Sequence, residues 1–127
     1  MNTQERLVKL MLALLFTHEL DAMTHSEWRL LYVLRDLTDA QSRWWFVALH
    51  VPLVWALIAL THHPQAKVQR ISRIAFAAFC VVHLLLHLRL RADALSTFNS
   101  PLSWGLIAGA AVVGVVYLCG AAFQTEA

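Results

Sequence analysis

The sequence predicts an all-α integral membrane protein, a four-helix bundle with an interfacial helix between helices 1 and 2. Three observations carry that expectation. Of 127 residues, 59% are hydrophobic and 14% are charged, whereas soluble domains average about 45–50% and about 25%. Mean hydropathy is +0.58. Four apolar segments, residues 7–23, 44–61, 71–90 and 102–123, approach the roughly 20 residues that cross a bilayer. The chain reads as a single transmembrane domain over residues 1–127. With two cysteines it is no disulfide scaffold. Its net charge of +2 argues against nucleic-acid binding. Membrane lipids are the expected surroundings.

The first segment, LVKLMLALLFTHELDAM, is the least apolar. Lys9 sits near its start, and His18, Glu19 and Asp21 sit near its end. It has the basic-then-apolar order of a signal peptide, but no small-x-small cleavage site follows. Residues 24–43 are too polar to span. There Trp28, Leu31, Tyr32, Leu34 and Leu37 recur at helical spacing, which predicts an interfacial helix or a continuation of the first helix. Thr38-Asp39 breaks it, and Arg43-Trp44-Trp45 anchors the second segment at an interface. A short basic loop, HHPQAKVQR, leads to the third segment. Ser100-Pro101 starts the fourth, since proline suits a first helical turn.

The fourth segment has no ionisable residue. Its Gly105-xxx-Gly109 and Ala110-xxx-Gly114 patterns serve close packing within the chain or a homodimer through Gly105 and Gly109. Trp28, Trp44, Trp45, Trp55 and Trp104 mostly fit interfacial belts. Lys and Arg are nearly balanced between the two sides, and the expected orientation has both termini in the cytoplasm.

Ionisable groups inside a bilayer are costly and usually serve function. At about 1.5 Å rise per residue, His18 lies about 16 Å and Asp21 about 21 Å from the starting face. His83 and His87 lie about 15 and 21 Å beyond Arg73, and His50, on the returning segment, falls at a similar depth. Facing agrees with depth. His18, Asp21 and His25 share one helix face, as do Cys80, His83 and His87. His83-Leu-Leu-Leu-His87 places two imidazoles one turn apart, a spacing able to ligate one metal. The glutamate of the HExxH proteases is absent between them.

Imidazole with carboxylate suits zinc or iron and leaves room for a water. The expected ligands are His18, Asp21, His83 and His87, with His25 capping the site from above. His50 is a fifth ligand or an acid/base, and Glu19 orients a ligand or moves protons. Cys80 and Cys119 read as packing residues, and His62-His63 as a solvated loop. A metal-dependent hydrolase or oxidase acting on a lipid-soluble substrate is the leading expectation. The alternatives are a single haem b with quinone electron transfer, a proton-coupled transporter, and an accessory subunit.

His18-Glu19-Leu20-Asp21-Ala22, followed by Glu27-Trp28-Arg29, resembles a signature of small uncharacterised bacterial membrane proteins with four helices. His83/His87 and Leu102-Ser103-Trp104 are similar to the rest of that pattern. The resemblance covers most of the chain. It implies the four-helix topology and a bacterial inner membrane, but no activity. Two other groups share fragments. Membrane hydrolases of the alkaline ceramidase and adiponectin-receptor type use HxxxH with an Asp and a further His around zinc. This chain has about half their helices and lacks their Ser-His segment. Small di-haem cytochromes of the b561 type use histidines on four helices, and the fourth segment here has none.

Overall fold

The computed structural model describes residues 2–123. It contains four long helices and, among the described residues, no strand. They are α1 (Thr3–Thr24), α2 (Asp39–Thr61), α3 (Ala66–Leu90) and α4 (Pro101–Phe123). The helices start before the apolar runs because their caps lie outside them. Asn2 Oδ1 accepts the Glu5 amide at 2.8 Å, which caps α1. Thr38 and Gln41 form a reciprocal capping box that moves the start of α2 back to Asp39. Ser100 Oγ accepts the Ser103 amide at 2.9 Å ahead of Pro101. Pro52 lies inside α2, as membrane helices tolerate.

Three helices, α2, α3 and α4, are long and apolar enough to cross a membrane. The first segment was expected to be a fourth. α1 is 22 residues long, but it carries Glu5, Arg6, Lys9, Glu19 and Asp21 and falls outside that group. α2 shows what surrounds the protein. Val51 is 73% and Trp55 72% exposed, and that side is nearly all apolar. A surface of this kind is stable against hydrocarbon and not against water.

The interfacial helix expected over residues 24–43 is much shorter. One 3-10 turn covers Glu27–Arg29, and further turns carry the chain to α2. Ser26 breaks the helix by adopting left-handed backbone, φ 53° and ψ 44°. An L-residue pays about 1–2 kcal/mol for that conformation. The segment is nonetheless held firmly. Trp28 is buried and donates its indole N–H to Asp39 Oδ1 at 2.9 Å. Arg29 Nε donates to the same oxygen at 3.0 Å. Ser42 Oγ donates to the Leu34 carbonyl at 2.6 Å. Residues 24–38 thus form a cap over one end of the bundle.

α4 packs closely on both α1 and α3, while α2 leans more lightly on α3 and the cap. Val8, Met11, Leu12 and Leu15 of α1 meet Phe76, Ala77 and Cys80 of α3 and Ala110 and Tyr117 of α4. A second core lies under the cap, from Ala22, Trp28, Leu30, Leu34, Phe46, Phe98 and Ile107. Arg73 Nε donates to the Thr61 carbonyl at 2.7 Å and closes the end of α2. On α4, a Cβ at Gly109 would meet Leu14 of α1 at 3.6 Å, whereas one at Gly105 would meet nothing within 4 Å.

Candidate metal centre

Between the two cores, α1 supplies His18 and α3 supplies His83 and His87. The turn after Ser26 swings Glu27 beneath the cap to meet them. Each residue offers one ligand atom, and these atoms lie within 4.8 Å of one another. His18 is 1% and His87 6% exposed. The imidazoles meet edge to face. Ring centroids are 4.9 Å apart for His18–His83, 5.1 Å for His18–His87 and 4.6 Å for His83–His87. Phe98, also buried, closes the cluster 4.7 Å from the His87 ring.

Glu27 faces two of the rings. Its Oε2 lies 3.5 Å from His18 Nε2 and its Oε1 3.6 Å from His87 Nε2. Those are ion-pair separations, too long for good hydrogen bonds. Accordingly, both nitrogens of His18, His83 Nε2 and Glu27 Oε2 are buried without hydrogen-bond partners. Buried polar atoms are nearly always paired, because leaving one bare costs about 1–3 kcal/mol. Burial pushes the Glu27 carboxyl up, but the facing His18 and His87 outweigh it and bring the group down to about 2. It is therefore a carboxylate at neutral pH, the form that binds metal.

Ligand atoms around tetrahedral zinc sit about 3.3–3.5 Å apart. The two Glu27 contacts, Oε2 to His18 at 3.5 Å and Oε1 to His87 at 3.6 Å, are close to that spacing, each through a different oxygen. The widest pair, at up to 4.8 Å, needs side-chain rotation of about 1 Å. The donor set of three imidazoles and one carboxylate suits zinc or iron.

The histidine layer expected from the sequence is present, but its carboxylate differs. Asp21 and His25 lie outside the four-residue group. They face each other, with Asp21 Oδ1 3.6 Å from His25 Nε2. His25 Nδ1 lies 3.1 Å from Thr97 Oγ1, and its Nε2 lies 3.3 Å from Ser103 Oγ. His25 shares a helix face with His18 but stands seven residues further on, about 10 Å along the axis. Asp21, His25 and Ser103 have the residue types of a nucleophilic triad. A triad needs its acid and its nucleophile on opposite ring nitrogens. Here both approach Nε2, and Ser103 is 0% exposed. The group clamps the end of α1 to the 91–100 connection and to α4. His25→Ala is expected to cost about 1–3 kcal/mol of stability, read by thermal unfolding in detergent, with metal content unchanged. Loss of metal in that variant would return His25 to the ligand set.

Glu19 and His50 form a separate pair. His50 Nε2 lies 2.9 Å from Glu19 Oε2, and His50 Nδ1 donates to the Phe46 carbonyl. With Nδ1 committed to that carbonyl, Nε2 is the ring nitrogen left to face the carboxyl. The pair lines the same cavity as Glu27, His83 and His87. That cavity, about 270 Å³, lies between α2, α3 and the cap. Cys80 is buried in the α1–α3–α4 core, and Cys119 is exposed.

Neither the curated proteins nor the solved structures include a match to this chain. A family model does match, over residues 4–123, which takes in nearly all of α1 to α4 and every residue of the histidine layer. The chain belongs to that family, a family of unknown function (DUF6713).

Proposed function

We propose that this protein is an integral membrane metalloprotein whose centre is His18, Glu27, His83 and His87, holding zinc or iron. The observation that carries the reading is the set of unpaired, buried donor atoms converging from α1, α3 and the cap. One cation would take a single nitrogen from each imidazole and an oxygen from Glu27. α1 completes the bundle as a fourth span, its polar end turned towards the centre. The cap side faces away from the cytoplasm, with both termini on the cytoplasmic side of a bacterial inner membrane. The HELDA stretch supplies His18 and the EWR stretch supplies Glu27.

The chemistry that fits is metal-assisted hydrolysis of a lipid-soluble substrate. An ion held by His18, Glu27, His83 and His87 would supply Lewis acidity and an activated water in a position beyond those four ligands. Glu19 and His50, on the wall of the same cavity, take up and return the proton. Asp21 and His25 serve as positioning residues that hold the end of α1. Haem b suits the arrangement less well. It needs two imidazoles on opposite faces of a flat macrocycle, whereas these three touch one another around a carboxylate.

The test is elemental analysis with an absorption spectrum on detergent-purified protein, beside His83→Ala/His87→Ala. About one zinc or iron per chain, lost in the double variant, is the expected result. A Soret band in place of that ion would move the protein to haem chemistry. Metal-free protein from gentle purification would end the metal reading.

A further inference from the structure

The cavity that reaches the histidine cluster is also open along the side of the bundle. Its polar lining, Glu19, Glu27, His50, His83 and His87, lies towards the cap, whereas Leu53 and Phe79 line its deep end and Leu86 its lipid-facing side. Leu53 is 60%, Phe79 46% and Leu86 47% exposed, so the apolar end opens on the face that α2 and α3 turn towards lipid. From Phe79 to Leu90 it follows α3 for eleven residues, about 16 Å. It is therefore long and narrow. Its volume of about 270 Å³ is near the lower end of small-molecule sites, about 300–1,000 Å³.

Depth fixes what fits. His87 is three residues from the end of α3, and Glu27 lies in the cap. Trp44 and Trp45 at the start of α2, and Trp104 beside Arg91, mark the same end of the bundle. Aromatic and arginine side chains of this kind sit where headgroups meet acyl chains. The polar end of the cavity is thus level with the polar part of a lipid, and the apolar end is level with its chain. α2 leans on α3 more lightly than α4 does, so the seam between α2 and α3 is not closed by packing along its length.

We infer that this seam is a lateral binding site for a single-chain amphiphile. The hydrocarbon chain lies between α2 and α3 along Leu53, Phe79 and Leu86, and a carboxyl or carbonyl head lies at His83, His87 and Glu27. The inference rests on the proposed metal centre for the head group alone. The chain site stands on the shape and lining of the seam. It also gives the substrate class a form: one extended chain, drawn sideways from the bilayer.

The test uses the full chain in phosphatidylcholine nanodiscs with palmitate carrying a mid-chain diazirine. After irradiation, adducts are mapped by mass spectrometry, and metal is measured on the same samples. Saturable labelling on Leu53, Phe79 and Leu86, competed by unlabelled palmitate, is expected. Leu53→Trp fills the seam and is expected to weaken that labelling at least about tenfold, with metal content kept. Leu85→Trp, on an exposed position of α3 outside the cavity, is expected to leave it unchanged. Unsaturable labelling spread evenly over exposed positions such as Leu85 and Val112 would show bulk lipid only and overturn the inference, even with metal present. Saturable labelling in metal-free protein would uphold the chain site and remove the metal reading.

Discussion

Glu27→Gln is expected to strip the metal from the purified protein, while Asp21→Asn leaves it bound. Glutamine keeps the shape of the side chain and its place under the cap. It removes the charge that offsets the ion and weakens the oxygen donor. Loss of a supporting hydrogen-bond partner already costs a metal site about 10–100-fold in affinity. Loss of a ligand carboxylate is expected to cost more, so that dialysis against a mild chelator empties the variant and spares the parent protein. Asp21 faces His25 at 3.6 Å, outside the four-residue group. Its amide variant is expected to lose stability and keep its metal. The reverse pattern would restore Asp21 as the carboxylate ligand. Titration against a zinc indicator dye measures both affinities in one series.

The second large effect concerns the packing of α3 on α4. A Cβ built at Gly114 would stand 2.7 Å from the Ala77 carbonyl oxygen and 3.5 Å from Cys80 Cβ. The first neighbour is backbone, so no side chain can rotate away. Gly114→Ala is expected to cost about 1–3 kcal/mol, and Gly114→Val more, because the helices must separate. His83 and His87 ride on α3 about two to three turns beyond Ala77. Gly114→Val is therefore expected to weaken metal binding without touching a ligand. Thermal unfolding and metal content are the paired readouts. Gly105→Ala, with nothing within 4 Å, is expected to leave both unchanged. A shift from dimer to monomer in Gly105→Ala would place a second copy of the chain against that face.

Hydropathy located the helices well because it reports what must be buried or lipid-facing. It missed the first turns of α1 and α2 because Asn2 and Thr38 cap through hydrogen bonds, whereas Ser100-Pro101 marked the start of α4. The three histidines of the centre were legible because each lies on a regular helix, where spacing fixes both facing and depth. Glu27 was not legible for the same reason. On an unbroken helix it would stand nine residues from His18, about 900° of rotation, and so on the opposite face. The left-handed backbone of Ser26 reverses that direction, and no period in the sequence reports one residue's φ. Asp21 and His25 stand outside the four-residue group. Their spacing gave the correct face, but facing alone does not bring groups to the same height. The Glu19–His50 contact joins two helices that touch little elsewhere, and no spacing within either helix reports it.

The left-handed turn at Ser26 has a consequence for the order in which the protein matures. Three of the four proposed ligands, His18, His83 and His87, sit on helices that insertion into the membrane would bring together. The fourth arrives only when residues 24–38 fold down over them. An ion held first by imidazoles alone would be exchangeable, and arrival of Glu27 would lock it in. The ion and the cap then behave as bolt and latch, each fastening the other. Removing the metal should make the backbone around Ser26 and Arg35 open to proteases while the helices below stay intact.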